Sequence, residues 1–419
     1  MKRKKTRFLR TESLLLFCLL LLTLFSGCGE KEMPEVIPQG RVTGLYRKET
    51  TSVPETLPVI VEKTPETHRV TFVGCGDNIT YFGNTRDAKS LSDGTRTYNF
   101  RPIFSEVKDK IAEADIAFLN QENVMSTSHD ISYYPRFNCP TDMGYDLWET
   151  GFDVLNIATN HMLDAYESGL IETIDFLESL GFTLIGGYKN GNEVDAIRVL
   201  EKNGVRIAFL AYTEMTNGLS LPAGSEVVIP YLKENLGSEE LIRRQFAEAK
   251  EVADAVIVSA HWGAENNFAP NVLQKEYAQL FADLGALAVL GHHPHVLQPI
   301  EWLTGQNGNQ TLCVYSLGNF AAEMDRDYHM CGGMISFTIA MTDGERPVLE
   351  DVLFTPTVFE FDSRFYNNRV RLLENYTDAE AKKHGISYYG QYTSLARLTG
   401  YFTDTISGEF LPDFLKTGA

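Results

Sequence analysis

The sequence predicts an α/β fold built on a largely parallel or mixed sheet. Short apolar, β-branched runs recur from residue 69 onward, and amphipathic helical patterns lie between them. Continuous apolar runs are typical of strands buried on both faces, and their alternation with helices is typical of parallel strand–helix units. The 419 residues are 43% hydrophobic, which suffices for a sizeable core, and 11% aromatic, which excludes collagen-like, coiled-coil and wholly disordered classes.

The first 28 residues are predicted to be a signal peptide rather than part of the fold. Six Lys and Arg residues flank or precede the apolar run 14–25, which is too short to span a bilayer as an ordinary helix but suits the apolar region of a signal peptide. The run ends at Ser26-Gly27-Cys28, which resembles a bacterial lipobox, so Cys28 is the predicted lipidation site. We therefore expect an extracytoplasmic lipoprotein anchored to the cell membrane; plain secretion and an uncleaved anchor are the alternatives.

Residues 29–68 are predicted to be a flexible tether, because five prolines stand there among Glu, Lys and Thr with little apolar periodicity. One domain is predicted over residues 69–361. Residues 362–419 form a C-terminal extension to which no motif gives a role.

The elements of the domain follow from its apolar patterns. The predicted strands, in chain order, are 70–73, 116–119, 154–158, 183–185, 207–212, 255–260, 286–290 and 312–315. Helices are predicted over 170–180 and 273–284, where leucines recur at helical spacing, and over 239–253. Beyond residue 320, segments 332–341 and 348–361 are predicted to pair as antiparallel strands joined near Asp343-Gly344.

Charge and cysteine content narrow the function. A formal net charge of −19 argues against a nucleic-acid partner, which needs clustered cations. The sequence contains no CxxC pair, so a thiolate zinc site is disfavoured, and Cys75 and Cys313 lie in apolar runs that suit core positions.

Histidines, carboxylates and amides directly follow several predicted strands. These residues are Asp77, Glu122, Asn160, His161, His261, His293 and His295. The carboxyl ends of strands in an open α/β sheet form the rim where ligands bind, so we expect these scattered residues to converge. Carboxylate, amide and imidazole donors suit a divalent metal such as Mn²⁺, Zn²⁺ or Fe²⁺. Taken alone, Asp77, Asn160 and His261 are explained as well by an Asx turn, a helix cap or a packed histidine. The three histidines at 292, 293 and 295 are harder to explain without metal, and the recurrence at successive strand ends favours the metal site for the whole set.

Six ordered motifs resemble those of the bacterial capsule-synthesis family associated with poly-γ-glutamate, which is itself similar to the calcineurin-like metallophosphoesterases. The motifs are Gly76-Asp77, Asn120-Gln121-Glu122, Asn160-His161-Met162-Leu163-Asp164, His261-Trp262-Gly263-Ala264-Glu265, Gly291-His292-His293-Pro294-His295 and Tyr315-Ser316-Leu317-Gly318-Asn319-Phe320. The resemblance covers residues 69–325. It implies a four-layer α/β/β/α sandwich, here with a C-terminal extension, and a two-metal site at the strand ends.

The resemblance also implies roles for single residues. Asp77 and His295 would bind a first metal, and Glu122 would bridge to a second. The second metal would be completed by Asn160, His261 and His293. His161 would be a catalytic general acid or transition-state stabiliser, with Asp164 beside it. The residues that would bind substrate are His292, Glu265, Ser316 and Asn319.

One motif departs from the superfamily pattern. The superfamily normally begins with Asp-x-His, whereas this chain has Asp77-Asn78-Ile79, so one histidine of the first metal is missing. The bridging position holds Glu122 in place of Asp. Both changes weaken the first metal more than the second, and we expect one or two divalent metal ions per chain.

The resemblance implies a membrane-tethered, metal-dependent, hydrolase-like protein of capsule or poly-γ-glutamate synthesis, export or anchoring. Its expected partners are the membrane, through the lipidated N-terminus, an anionic polymer or phosphoester substrate, and membrane synthase or export subunits. Two alternatives stay open: an extracytoplasmic phosphodiesterase or phosphatase, and a catalytically weak scaffold of the export machinery. Because the chain is acidic, metal ions or partners would have to offset its repulsion of a polyanion.

Overall fold

The computed structural model describes residues 64–233 and 238–416. The predicted signal peptide, its lipidation site Cys28 and most of the predicted tether lie outside the described residues. Among the helices within those ranges, none is both long enough and apolar enough to cross a bilayer.

The described residues form fourteen strands and ten α-helices. The strands are β1 (Thr67–Ile79), β2 (Ile116–Gln121), β3 (Val154–Asn156), β4 (Thr183–Ile185), β5 (Arg198–Lys202), β6 (Val205–Thr213), β7 (Ala255–His261), β8 (Ala288–His292), β9 (Ile300–Thr304), β10 (Gln310–Val314), β11 (Asn319–Ala322), β12 (Cys331–Thr342), β13 (Val348–Glu360) and β14 (Arg369–Leu372). The helices are α1 (Phe82–Ser90), α2 (Arg101–Phe104), α3 (Lys108–Ala112), α4 (Asp142–Thr150), α5 (Tyr166–Leu180), α6 (Gly191–Asp195), α7 (Ser238–Val252), α8 (Val272–Asp283), α9 (Asp378–Ala381) and α10 (Leu395–Thr405).

The strands form two mixed sheets. The first sheet has the order β14-β13-β12-β1-β2-β3-β4, with β11 also paired to β1, and the second has the order β5-β6-β7-β8-β10-β9. Strands β1 to β4 run parallel, as do β6, β7, β8 and β10, and the remaining strands of the main orders pair antiparallel at the sides. The predicted mixed sheet is confirmed.

The two sheets pack face to face between two layers of helices. Phe72 of β1 stacks on Phe209 of β6 with ring centroids 6.5 Å apart, which joins the sheets through their inner faces. Helices α7 and α8 cover the second sheet through Phe246 and Phe281, both buried. Helices α4 and α5 cover the first sheet, with Leu147 fully buried. Burying an apolar face on each side of each sheet explains the layered arrangement, and the predicted α/β/β/α sandwich is confirmed.

The described part of the C-terminal extension, residues 362–416, packs into the same core. Strand β14 pairs with β13 and lengthens the first sheet. Leu398 and Phe402 of α10 are fully buried, and the Phe402 ring lies 6.3 Å from that of Phe354 in β13. The extension therefore forms one compact unit with the strands before it.

Several elements match the sequence prediction and several differ. The three predicted helices correspond to α5, α7 and α8, and the predicted antiparallel pair to β12 and β13. Strands β5, β9, β11 and β14 were not predicted, because they are short and polar or lie beside motif residues. Strand β1 runs on through Asp77 because Gly76 lets β11 approach: a Cβ there would lie 2.1 Å from the Gly318 carbonyl oxygen.

Candidate metal centre

Four parallel strands bring their carboxyl ends to one rim of the sandwich, two from each sheet. Asp77 lies near the end of β1 and Glu122 directly follows β2 in the first sheet, while His261 ends β7 in the second. His293 and His295 follow β8. All five side chains are buried. Strand ends of two packed sheets thus place carboxylates opposite imidazoles, as the strand-end argument predicts.

The five residues form two groups that share one carboxylate. The ligand atoms of Asp77, Glu122 and His295 lie within 4.8 Å of one another, and so do those of Glu122, His261 and His293. The Asn160 Oδ1 atom lies 2.9 Å from His261 Nε2. This grouping coincides with the division of ligands that the resemblance implies; ligation itself stays a prediction.

The unsatisfied atoms of the cluster fit a bound cation. Both carboxylate oxygens of Glu122 are buried without a hydrogen-bond partner, and so are the Nδ1 atoms of His261 and His293. Burying a carboxylate that accepts no hydrogen bond costs several kcal/mol, on the order of the burial penalty for an ion. Burial accordingly raises the pKa of Glu122 well above its usual value. A divalent cation would supply the missing partners, and this donor set suits one.

The charge balance points the same way. Burial lowers the pKa of His295, but the carboxylates of Glu122 and Asp77 outweigh it and raise that pKa to about 10. The Nδ1 atom of His295 lies 3.3 Å from Asp77 Oδ2, and its Nε2 atom lies 3.8 Å from Glu122 Oε1. A metal ion between the two carboxylates would supply positive charge there.

Asp77 is held by a chain of amides that the sequence analysis missed. Asn120 Nδ2 donates to Asp77 Oδ1 at 2.8 Å, and Asn156 Nδ2 donates to Asn120 Oδ1 at 2.7 Å. The His293 backbone N–H donates to Asp77 Oδ2 at 3.2 Å. Burial raises the pKa of Asp77, but the contacts from His292 and His295 outweigh it and hold that pKa below its usual range. The available signal was an asparagine at the carboxyl end of both β2 and β3.

The turn after β8 holds two histidines in an unusual backbone conformation. His293 has φ +95° and His295 has φ +57°, a region that costs non-glycine residues about 1–3 kcal/mol. His295 Nδ1 lies 2.9 Å from Asn319 Oδ1, which directs Nε2 toward Glu122. Burial lowers the pKa of His293 to about 3 and that of His261 well below its usual value, so both are neutral, as metal ligands must be.

His161 and Asp164 form a hydrogen-bonded pair beside the cluster. His161 Nδ1 lies 2.7 Å from Asp164 Oδ2, and the Phe137 backbone N–H donates to the same oxygen at 2.7 Å. The Phe137 ring packs edge-on against the imidazole, 4.8 Å between centroids. Because the carboxylate accepts from Nδ1, the imidazole presents Nε2 as its free nitrogen. Asn160 Nδ2 donates to Asn217 Oδ1 at 3.3 Å.

Three of the four residues predicted to bind substrate lie among the buried residues around the cluster. His292, Ser316 and Asn319 are fully buried. His292 stacks on Phe118 and places Nδ1 3.4 Å from Asp77 Oδ1, Ser316 Oγ donates to the Val296 carbonyl at 2.7 Å, and Asn319 orients His295. In the structure these three side chains position residues of the cluster and of its supporting turn, and their predicted role in substrate binding stays a prediction. The fourth, Glu265, is exposed, and its carboxylate lies within 4.8 Å of ligand atoms of His293 and His295.

Ile79 occupies the position where the resemblance to the metallophosphoesterases implies a histidine. Its side chain is buried with those of Phe137 and Ala322 in a small apolar cluster. The described residues therefore provide no ligand from this position of β1.

Comparison with known proteins identifies relatives of this chain. Residues 71–324 match the family described as bacterial capsule synthesis protein PGA_cap. The chain is 35% identical over 176 residues to the PGA biosynthesis protein CapA of Bacillus subtilis, covering 42% of this chain and 43% of that protein. It is 35% identical over 180 residues to the capsule biosynthesis protein CapA of Bacillus anthracis, covering 41% and 40%. The aligned part thus spans less than half the length of these relatives.

A solved structure is also similar, though weakly. The NAD nucleotidase of Haemophilus influenzae matches with a TM-score of 0.41 and 9% identity, covering 83% of this chain and 58% of that one.

Proposed function

This chain belongs to the bacterial capsule synthesis protein family PGA_cap, and from that premise we propose that it is a metal-dependent hydrolase of the cell envelope serving capsule or poly-γ-glutamate synthesis. The observation that carries the proposal is the position of Glu122. One buried carboxylate, with both oxygens unsatisfied, is shared between a group with Asp77 and His295 and a group with His261 and His293. Such a shared carboxylate suits two adjacent divalent ions, of which Mn²⁺, Zn²⁺ and Fe²⁺ fit the donor set.

Different residues of the chain would bind metal, position its ligands and transfer a proton during hydrolysis. Bound metal would polarise the oxygen of the scissile group and lower the pKa of water at the site. Asn120 and His293 hold the Asp77 carboxylate in place through hydrogen bonds. His161, fixed by Asp164, presents Nε2 to the leaving group, so that a proton carried there can pass to the departing oxygen or nitrogen.

The cellular setting of the proposal depends on the N-terminal sequence. A cationic stretch, an apolar run and Ser26-Gly27-Cys28 support export and lipidation, which would tether the hydrolase to the outer face of the membrane. An anionic polymer or phosphoester would be its substrate there, and membrane synthase or export subunits its partners. A Cys28→Ser change should release the protein into the medium, whereas retention with the membrane would indicate an uncleaved anchor.

A substrate assay tests the proposed chemistry. The full chain, purified in detergent, is measured for bound metal and for Mn²⁺-dependent hydrolysis of γ-linked glutamate oligomers and of a generic phosphodiester. Cleavage of the oligomers supports the proposal. Cleavage of the phosphodiester alone would replace it with an extracytoplasmic phosphodiesterase.

One observation favours a second candidate function, a catalytically weak scaffold of the polymer-export machinery. Ile79 contributes an apolar contact where the superfamily has a metal-binding histidine. Bound metal without turnover of either substrate, together with unchanged capsule in a His293→Ala strain, would exclude the enzyme. Loss of capsule in that strain without turnover would favour the scaffold.

A further inference from the structure

We propose that Glu265 is a ligand of the first metal and takes the place of the histidine that Ile79 replaces. The inference rests on the proposed metal centre and deepens it, because it states which residue completes the ligand set of the first metal, the set that lacks a histidine. It assigns a metal-binding role to a residue that the sequence analysis placed with the substrate contacts.

The geometry places the Glu265 carboxylate at the open side of the cluster. One of its oxygens, a nitrogen of His293 and a nitrogen of His295 all lie within 4.8 Å of one another. His295 also belongs to the group with Asp77 and Glu122, which places Glu265 next to the first metal's group, and His293 also belongs to the group with Glu122 and His261. The Nδ1 atom of His293 is buried without a hydrogen-bond partner.

The loop that carries Glu265 is held rigidly although the side chain is exposed. The Gly263 backbone N–H donates to Glu214 Oε2 at 2.9 Å, and the Asn266 N–H donates to the Pro294 carbonyl at 2.9 Å. Gln298 Nε2 donates to the Asn267 carbonyl at 2.7 Å. Hydrogen bonds on both sides of Glu265 therefore fix its backbone against the histidine turn, which is how a ligand on a loop is preorganised.

The first group lacks a ligand on the side of β1, and Glu265 offers one from the second sheet. Asp77, Glu122 and His295 supply three donors, whereas Ile79 is buried among apolar side chains and supplies none. A carboxylate in place of an imidazole makes the donor set harder and more negative, which favours Mn²⁺ over Zn²⁺ at this position.

Metal stoichiometry tests the assignment without relying on turnover. Metal-free full chain, its Glu265→Gln variant and a Glu240→Gln control on the exposed face of α7 are titrated with Mn²⁺ alone, and bound ions are counted by elemental analysis and electron paramagnetic resonance. The wild-type chain and the control should bind two ions. Glu265→Gln should bind one at unchanged affinity and the second at least about tenfold more weakly.

The outcomes separate this inference from the proposed function. Two ions bound at wild-type affinity by Glu265→Gln would overturn the role of Glu265 alone, as would a single ion in all three proteins. No bound ion in the wild-type chain would overturn the metal centre itself. Because the Glu265 side chain is exposed, all three metal-free proteins should unfold at the same temperature, and that measurement shows that a lost ion is not a lost fold.

Discussion

The two ends of the sandwich differ in chemistry. At the amino ends of β7 and β8 lies a cavity of about 910 Å³, lined by Lys250, Ala253, Asp254, Ala255, Val256, Gly285, Ala286, Leu287, Trp302, Asn307, Gly308, Asn309, Gln310, Arg346, Pro347, Val348 and Leu349. Its one lining carboxylate, Asp254, forms an ion pair with Arg206 at 2.7 Å. At the carboxyl ends, by contrast, buried carboxylates and imidazoles face one another with atoms left unpaired.

One strand connects these two environments. Strand β7 begins at Ala255, which lines the cavity, and ends at His261 in the cluster, a distance of about 20 Å at the usual rise per residue. The cavity is surrounded mainly by neutral groups, and the cluster consists of groups that are costly to bury alone. Unsatisfied buried polar atoms, and not the volume of a cavity, therefore distinguish the end with the candidate metal centre, called the functional end below.

The largest expected effect comes from removing a ligand at the functional end. His293→Ala should lower metal binding by more than about 100-fold and reduce hydrolysis to background, because this imidazole belongs to two of the candidate groups. Arg346→Ala in the cavity at the other end is the matched control, since an exposed residue there should change neither quantity. Equal metal content in the two variants would remove the distinction between the two ends.

The next effect separates catalysis from metal binding within the functional end. His161→Ala should retain metal yet lower turnover by about 10² to 10⁴-fold, the usual range for loss of a general acid. Asp164→Asn should act in the same direction, since Asp164 holds the imidazole at 2.7 Å. Rates and metal content are measured on the same samples. Turnover unaffected by His161→Ala would show that another group protonates the leaving atom.

A smaller effect is expected from the hydrogen bonds that hold Asp77 in place. Asn120→Ala removes the amide that joins Asp77 to Asn156, so metal affinity should fall by about 10- to 100-fold, as for other residues that orient ligands. Saturating Mn²⁺ should restore most of the turnover, which it should not do for His161→Ala. Titration of activity against metal concentration distinguishes the two cases.

The smallest effect tests whether burial alone explains the chemistry of this end. Glu323, just after β11, is a buried carboxylate outside the cluster, and burial raises its pKa from 4.5 to about 7. Between those pH values the folded chain keeps a proton that the unfolded chain releases, so the free energy of unfolding should fall as pH rises through the window. Glu323→Gln should remove this dependence and stabilise the protein by about 2 kcal/mol at pH 8.

Denaturant titrations at pH 4 and pH 8 measure that effect. The two proteins should have similar stability at pH 4, where the carboxyl is protonated in both states. Metal binding should not change in Glu323→Gln, because no imidazole of the candidate groups shares this carboxylate. A change in metal content would extend the functional end to Glu323.

The fold was largely predictable where the pattern is local. The runs that form β4, β6 and β7 and the helices α5, α7 and α8 stand out by composition and spacing. Strand β11 did not, because Asn319–Ala322 pairs in parallel with β1 across 240 residues of sequence and its pattern says nothing about that partner. Strand β5 was missed because an edge strand needs little apolar surface.

The sequence predicted which residues form the candidate site, but not how deeply each side chain is buried or which way it points. Asp77, Glu122, His261, His293 and His295 all follow apolar runs, which is a signal that sequence carries. His292, His293 and His295 are all buried, and the turn has a left-handed backbone at His293 and His295. No residue type in the turn predicts that conformation.

The sequence by itself determined the α/β class, the order of the motifs and the kinds of ligand atoms available. Only the tertiary structure decided that Glu122 of one sheet lies between His261 of the other sheet and Asp77, and that the Glu265 carboxylate lies near His293 and His295. The reason is physical. Periodicity reports which face of an element is buried, whereas distances between strand ends of two sheets are set by how those buried faces pack together.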